Sequence, residues 1–256
     1  MVRAYLDHPG PLALAHRGFS LDGLENSMVA FSAAVDLGYR YVETDVHATR
    51  DGVAVAFHDA SLDRVTDAAG LVADLPWSTV GAARIGGSEP VPTLADLLGS
   101  WPALRVNIDV KSAAAVGPTV EVIERAAAHD RVCVTSFSDA RRRAVVRALS
   151  RPVATSAGTR TVAGFLGATA VHSARARSRA LREVDCLQVP ERQGRIPVVT
   201  AATVAAAHAS GVQVHVWTVN EPAEMARLLD LGVDGLVTDR ADLLRDVLRT
   251  RGQWVG

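Results

Sequence analysis

Leu12-Ala13-Leu14-Ala15-His16-Arg17-Gly18-Phe19-Ser20 is a short β-rich run followed by a turn that holds a single glycine. Two folds built from parallel strands and helices compete for such a start, and the turn separates them. An open doubly wound sheet usually carries G-x-G-x-x-G after its first strand, where the backbone approaches a pyrophosphate. His16-Arg17-Gly18-Phe19-Ser20 lacks that pattern, so the run reads as the first strand of a closed barrel.

The rest of the chain repeats the theme. Tyr41-Val42-Glu43-Thr44-Asp45-Val46 is a second run, and residues 53–57 return at once across Asp51-Gly52, a turn dipeptide, as a hairpin arm. Further runs cover 105–110, 132–137, 152–156, 186–189, 212–219 and 235–238. Helix-length amphipathic stretches lie between most of them: 26–37 ending at Gly38, 116–128, 139–149, 200–209 ending at Ser210-Gly211, 223–231 opened by Glu221-Pro222, and 241–248. With the hairpin arm set aside, eight strands alternate with helices, the pattern of a parallel sheet with helical crossovers. In 256 residues this predicts an α/β chain folded as one (β/α)8 TIM barrel spanning 1–256. Residues 59–99 break the rhythm, with Gly70, Pro76, Gly81, Gly86, Gly87, Pro90 and Pro92. They read as an insertion on the second strand-to-helix connection, of the kind that builds or covers a site.

Composition narrows the function. Lys plus Arg is 27 and Asp plus Glu is 28, a balance that argues against a general nucleic-acid or anionic-membrane binder while leaving room for a local basic pocket. Cys133 and Cys186 are the only cysteines, too few for a disulfide framework or a cysteine zinc site. No apolar stretch reaches membrane-spanning length and the first residues lack a signal-peptide pattern, so a cytoplasmic protein without stable membrane insertion is expected.

In a barrel, chemistry sits at the C-terminal ends of strands. Glu43 and Asp45 are i, i+2 neighbours on one strand face. Taken alone, such a pair is most simply an edge strand with scattered charge. If buried, the two carboxylates call for a cation between them, and hard oxygen donors favour Mg²⁺ or Ca²⁺. Asp109 and Lys111 repeat the spacing in the third strand, and Asp109 is a candidate third carboxylate. Lys111 is the only lysine among the 27 Lys and Arg residues, so a compact ammonium at this strand end points to a phosphate partner. His16 and His58 both end apolar runs, where two imidazoles can act as base and acid; singly, each is as readily structural. Arg17 adds a planar cation suited to phosphate. His47 is placed to support the acidic pair, and His215 inside the barrel.

Together these residues resemble the glycerophosphodiester phosphodiesterase family. Ala15-His16-Arg17-Gly18 is similar to its A-H-R-G opening, Glu25-Asn26-Ser27 with Ala30-Phe31 to P-E-N-T-x-x-A-F, and Glu43-Thr44-Asp45-Val46 to E-x-D-V. Asp51-Gly52 with Val55 and His58-Asp59 resembles D-G-x-x-V-x-x-H-D, and Leu62-Asp63-Arg64-Val65-Thr66 resembles L-x-R-x-T. Val91-Pro92-Thr93-Leu94 is similar to I-P-T-L, and Asn107-Ile108-Asp109-Val110-Lys111 to N-I-E-I-K. Val216-Trp217-Thr218-Val219-Asn220 resembles V-W-T-V-N, and residues 232–239 resemble G-V-D-G-I-x-T-D.

The resemblance implies a (β/α)8 barrel with an insertion after the second strand. It implies metal-dependent hydrolysis of a small glycerophosphodiester to sn-glycerol 3-phosphate and an alcohol. Glu43, Asp45 and Asp109 would hold Ca²⁺ or Mg²⁺, His16 and His58 would be the acid–base pair, Arg17 and Lys111 would bind phosphate, and Trp217 would line the substrate pocket. Leu24 stands for the usual proline, Ser27 for threonine, and Asp109 for glutamate, one methylene shorter. Residues 134–188 carry no recognisable motif. The rivals are a phospholipase-type barrel acting on lipid head groups, which would want an apolar rim such as Leu71, Val72, Leu75, Trp77 and Val80 offer, and a non-catalytic phosphoester-binding barrel. An amidohydrolase is disfavoured because the first strand lacks H-x-H.

Overall fold

The computed structural model describes residues 3–255. Eight parallel strands form the barrel: β1 (Leu12–His16), β2 (Tyr41–Ala48), β3 (Arg105–Val110), β4 (Val132–Thr135), β5 (Ala154–Thr155), β6 (Cys186–Pro190), β7 (Gln213–Trp217) and β8 (Gly235–Thr238). They pair in the order β5-β4-β3-β2-β1-β8-β7-β6. A parallel bridge from Ser156 to Cys186 joins the two ends and closes the ring. The TIM barrel expected from the sequence is therefore the fold. Ala54–Ala56 pairs antiparallel with β2, so the hairpin arm across Asp51-Gly52 is also present.

Helices α1 (Met28–Asp36), α2 (Leu94–Ser100), α3 (Val116–Arg125), α4 (Asp139–Ala148), α5 (Thr159–Ala170), α6 (Ala174–Leu181), α7 (Ala201–His208), α8 (Pro222–Asp230) and α9 (Ala241–Thr250) surround it. Their starts follow local chemistry. The Ser27 hydroxyl accepts from Ala30 N at 3.1 Å to cap α1, Thr93 and Asp96 form a capping box on α2, and Pro222 opens α8.

Three differences from the sequence reading have physical causes. The segment 59–99 contains α2, whose Leu94, Leu97 and Leu98 are buried in the main core between strands and helices. The part that stands off the barrel ends before it and has its own small core of Leu62, Val72, Val80, Ala83, Ile85 and Val91 packed on Val55 and Phe57. Val72 and Val80 are thus interior, and Leu71 alone of the proposed rim is largely exposed. Second, the run 132–137 leaves the sheet at Thr135, because the Ser136 hydroxyl turns back to donate to Val110 O at 2.8 Å and Phe137 swings out. Third, two helices, α5 and α6, join β5 to β6 where the rhythm implied one; the glycines and arginines of 158–182 blur their apolar faces.

The barrel interior is layered. Its floor is apolar: Leu12, Leu14, Tyr41, Cys133, Ala154 and Cys186 close around Tyr5, which is 0% exposed. Tyr41 Oη donates to Tyr5 O at 2.9 Å and Gln213 Nε2 to Leu6 O at 3.3 Å, so the N-terminal segment is held across the bottom of the barrel. Above it Gln188 Nε2 donates to Asn107 Oδ1 at 2.9 Å, beside a fully buried His215. The charged groups lie above this layer.

Candidate active site

The turn after β1 is built by backbone geometry. Gly18 has φ +83°, and a Cβ there would lie 2.5 Å from Ala30 C, so only glycine lets the turn rest against the start of α1. Phe19 N donates to Ala30 O and Arg17 N to Glu43 O, which fixes His16 and Arg17 above the strand ends. Parallel register does the rest. His16 pairs with Glu43, Glu43 with Asn107, and Asp45 with Asp109, so these side chains share the inner face in adjacent rows.

All eight residues singled out in the sequence, His16, Arg17, Glu43, Asp45, His58, Asp109, Lys111 and Trp217, line one cavity of about 550 Å³ at the C-terminal end of the barrel. Glu43, Asp45 and Asp109 are buried, so the solvent-facing edge-strand alternative does not hold. Lys111 Nζ stands between Asp45 Oδ1 at 2.7 Å and Asp109 Oδ2 at 2.6 Å, and Arg17 Nε lies 2.9 Å from Asp45 Oδ2. Lys111 and Arg17 are thus engaged with the acidic cluster. His47 Nε2 lies 3.1 Å from His58 O and supports that strand end.

Burial and mutual repulsion set the protonation of the cluster. Burial, then the Asp45 charge, pushes Glu43 up to about 8. Burial also raises Asp109. Burial opposes ionisation of Asp45 too, but Lys111 and Arg17 outweigh it and hold Asp45 below the usual carboxylate range. Asp109 Oδ1 is buried without a hydrogen-bond partner. Three buried carboxylates, one with an orphaned oxygen, form a donor set of the hard kind that Ca²⁺ and Mg²⁺ take. Among the described residues no three such side chains converge on one metal-sized point, since the Lys111 ammonium occupies the gap between two of them.

Each histidine is held by a carboxylate. His16 Nδ1 lies 2.6 Å from Asp239 Oδ1, and Asn220 Nδ2 donates to the other Asp239 oxygen at 2.9 Å. Burial works against the His16 cation, but the Asp239 hydrogen bond and Glu43 prevail and raise its pKa. His58 Nδ1 lies 2.6 Å from Asp59 Oδ1. Arg64 donates to both Asp59 oxygens, at 2.5 and 3.1 Å, and pulls that carboxyl down to about 2. The same guanidinium donates to Glu25 at 2.7 and 3.1 Å, and Glu25 accepts from Arg17 at 2.9 Å. A chain of contacts thus runs from His58, by a hydrogen bond to Asp59, through the ion pairs of Asp59, Arg64, Glu25 and Arg17. Because a carboxylate can only accept, Nδ1 of both rings carries the hydrogen, leaving each Nε2 for the cavity.

Asp239, Asn220, Asp59, Arg64 and Glu25 received no role in the sequence reading. Asp239 directly follows β8, so the strand-end rule alone could have found it. Glu25 and Arg64 gave no such signal, since their partner lies 39 residues away. The side of the cavity toward β4, α5 and β6 combines Phe137, Val162, Leu166, Val189 and Val198 with the polar Thr135, Ser136, Thr159, Gln188 and Gln193. Phe137 meets the Trp217 ring edge-on, with centroids 5.7 Å apart, and Lys111 Nζ lies 5.5 Å from the centre of the Phe137 ring.

Residues 16–243 match the glycerophosphoryl diester phosphodiesterase family. A Mycobacterium tuberculosis protein named probable glycerophosphodiester phosphodiesterase 2 is 52% identical over 253 residues, covering 98% of this chain and 96% of the relative. A glycerophosphodiester phosphodiesterase of Caldanaerobacter subterraneus is 29% identical, covering 94% and 99%. The fold is shared with a solved phosphodiesterase of Oleispira antarctica in complex with the product sn-glycerol-3-phosphate, at TM-score 0.78 and 21% identity, covering 94% and 97%. With barrel, strand-end residues and sequence in agreement, the chain belongs to the glycerophosphoryl diester phosphodiesterase family.

Proposed function

We propose that this chain hydrolyses glycerophosphodiesters to sn-glycerol 3-phosphate and an alcohol, with His16 and His58 as the proton-transfer pair. The observation that carries the reading is that both imidazoles are anchored through Nδ1 by carboxylates at 2.6 Å and border one cavity with a lysine and an arginine. A barrel that only bound phosphoesters would not need two rings oriented in this way. The product in the Oleispira structure and the name of the Mycobacterium relative support the substrate class.

Phosphate would lie against Arg17 and Lys111, whose positive charge meets the charge that develops on the phosphoryl oxygens. His16 Nε2 takes the proton of the attacking hydroxyl, from water or the neighbouring glycerol carbon. His58 Nε2 gives a proton to the departing alkoxide. Asp239 and Asp59 accept from Nδ1–H of the two rings; His16 then offers the bare Nε2 a base needs, while His58 acts as an acid only as the imidazolium that also carries a hydrogen on Nε2. Glu43, Asp45 and Asp109 would hold Ca²⁺ or Mg²⁺ only with the Lys111 ammonium turned from Asp45 and Asp109 toward the phosphate, and the ion would then supply further positive charge to the phosphoryl oxygens. No helix among the described residues is long and apolar enough to cross a membrane, in keeping with a small diffusible substrate.

The test is release of glycerol 3-phosphate from glycerophosphocholine by chelator-treated protein, with Mg²⁺, Ca²⁺ or neither, beside His16→Ala and His58→Ala. Metal-dependent release lost in both variants is expected. Release that persists in either variant would remove the two-histidine mechanism, and no release under any condition would remove glycerophosphocholine as a substrate.

A further inference from the structure

Leu62-Asp63-Arg64-Val65-Thr66 is a motif that the proposed chemistry leaves unused. The backbone around Arg64 is fixed on both sides. Leu62 is fully buried in the small core of the insertion, the Thr66 hydroxyl donates back to Leu62 O at 2.8 Å, and Gly86 N donates to Val65 O at 2.9 Å. The Arg64 side chain is exposed and aimed back at the barrel. Nε and Nη2 donate to Asp59 Oδ2 and Oδ1 at 2.5 and 3.1 Å, and Nη2 and Nη1 donate to Glu25 Oε1 and Oε2 at 2.7 and 3.1 Å. All but one of the five N–H donors of the guanidinium are thus engaged, on two carboxylates at once. Beyond Asp59 lies the His58 ring, and beyond Glu25 lies Arg17, whose Nε is 2.9 Å from Asp45 Oδ2.

Exposed ion pairs contribute little to stability, and the insertion is already packed on Val55 and Phe57. A fork that grips two carboxylates is better accounted for by what those carboxylates hold. Burial opposes ionisation of Glu25, but Arg64 and then Arg17 outweigh it and keep the carboxyl below its usual range. Without the guanidinium, Asp59 and Glu25 face each other as like charges, and each is free to turn toward water and away from the group it steadies. A lysine carries its charge at one point and cannot bind both carboxylates edge-on. We propose that Arg64 is a positioning residue: one guanidinium aligns the His58 ring through Asp59 and the Arg17 guanidinium through Glu25, so that proton donor and phosphate anchor are set together by the insertion. The proposal rests on the phosphodiesterase reading for the roles of His58 and Arg17.

The experiment compares two diesters. Glycerophosphocholine releases an alkoxide that needs a proton, whereas glycerophospho-p-nitrophenol releases a phenolate that leaves without one. Arg64→Met keeps the aliphatic stem and removes the fork. It should lower kcat for glycerophosphocholine about 10–10²-fold, lower kcat for the nitrophenyl diester less than about threefold, and raise KM for both. Asp59→Ala, which cuts the arm to His58, should reproduce the kcat loss alone. Glu25→Ala, which cuts the arm to Arg17, should reproduce the KM rise alone. In Arg64→Ala, methylguanidinium added below denaturing concentrations should restore part of the glycerophosphocholine rate, and Arg64→Lys should recover one arm at most.

Two readouts need no turnover. In isotope-labelled protein, NMR follows exchange of the His58 Nδ1 hydrogen with water, which Arg64→Met should speed while the His16 signal is unchanged. Calorimetry follows sn-glycerol 3-phosphate, whose affinity should fall severalfold in the same variant. Equal kcat losses on both diesters, or no loss on either, overturn the proposal and leave Arg64 as a fastening for the insertion. Unchanged ring-hydrogen exchange together with unchanged glycerol 3-phosphate affinity also overturns it, whatever the rates. If the wild type cleaves neither diester, the phosphodiesterase reading falls, and these two readouts alone decide whether Arg64 holds His58 and Arg17.

Discussion

Replacing Gly18 by alanine tests whether the turn after β1 is held by contact or only by backbone preference. Gly18 has φ +83°, and the added Cβ would lie 2.5 Å from Ala30 C, 2.7 Å from Ala30 O and 2.8 Å from Phe31 N. All three are backbone atoms in the first turn of α1, so no side-chain rotation relieves the overlap. A left-handed conformation costs an alanine about 1–2 kcal/mol. Forcing an extra methyl into a packed site adds about 1–3 kcal/mol. The sum, about 2–5 kcal/mol, corresponds to a fall in Tm of about 4–20 °C for a chain of this size. Gly52 provides the control: its φ is +84° and nothing lies within 4 Å of an added Cβ, so Gly52→Ala carries the backbone cost alone. Thermal and urea denaturation of the two variants separate the contributions. Gly18→Ala should lose about 1–3 kcal/mol more than Gly52→Ala, and kcat/KM should fall with it because His16 and Arg17 ride on the displaced turn. Equal losses in the two variants would refute the argument that the approach of α1 dictates this glycine.

Asp239→Asn removes the anion that orients His16 while keeping its size. We expect kcat to fall about 10²–10³-fold with KM nearly unchanged, and a fall below about fivefold would show that the ring is held by other means. Asp59 offers a pH test. Arg64 first, and then His58, lower its pKa from 3.8 to about 2, so its contribution to stability is complete above the unfolded value and disappears as pH falls from about 4 toward 2. The stability difference between the wild type and Asp59→Asn should therefore be constant above that window and shrink within it. A difference that persists at pH 2 would contradict the ion-pair origin. Finally, Ca²⁺ or Mg²⁺ added to chelator-treated protein should raise Tm, and Asp45→Asn should remove the rise; an equal rise in the variant would place the cation elsewhere.

The barrel was readable because its strands are short, apolar and separated by recognisable helix ends. β1, β3 and β8 begin and end where the residue pattern places them. β5 shrinks to Ala154–Thr155, since its neighbour Ser156 belongs to the closing bridge rather than to a continuous ladder. The site residues were readable where chemistry and strand ends coincide, as in Glu43, Asp45 and Lys111. Two kinds of information were hidden. Pairings across long sequence separations, such as His16 with Asp239, depend on barrel closure and leave no local trace. The wall of the cavity opposite the charged groups depends on how α5 packs over β6, and the alanines, glycines and threonines of that helix do not announce which face it turns to the cavity.

The Tyr5 floor has a consequence for traffic. Among the described residues the underside of the barrel is stoppered by the N-terminal segment, which leaves the cavity to open on the side of the strand-end loops. Whatever enters must leave by the way it came. Two products then share a single exit, so the one lodged deeper waits for the one nearer the door, and an incoming substrate waits for both. Departure order becomes a property of the architecture rather than of the chemistry.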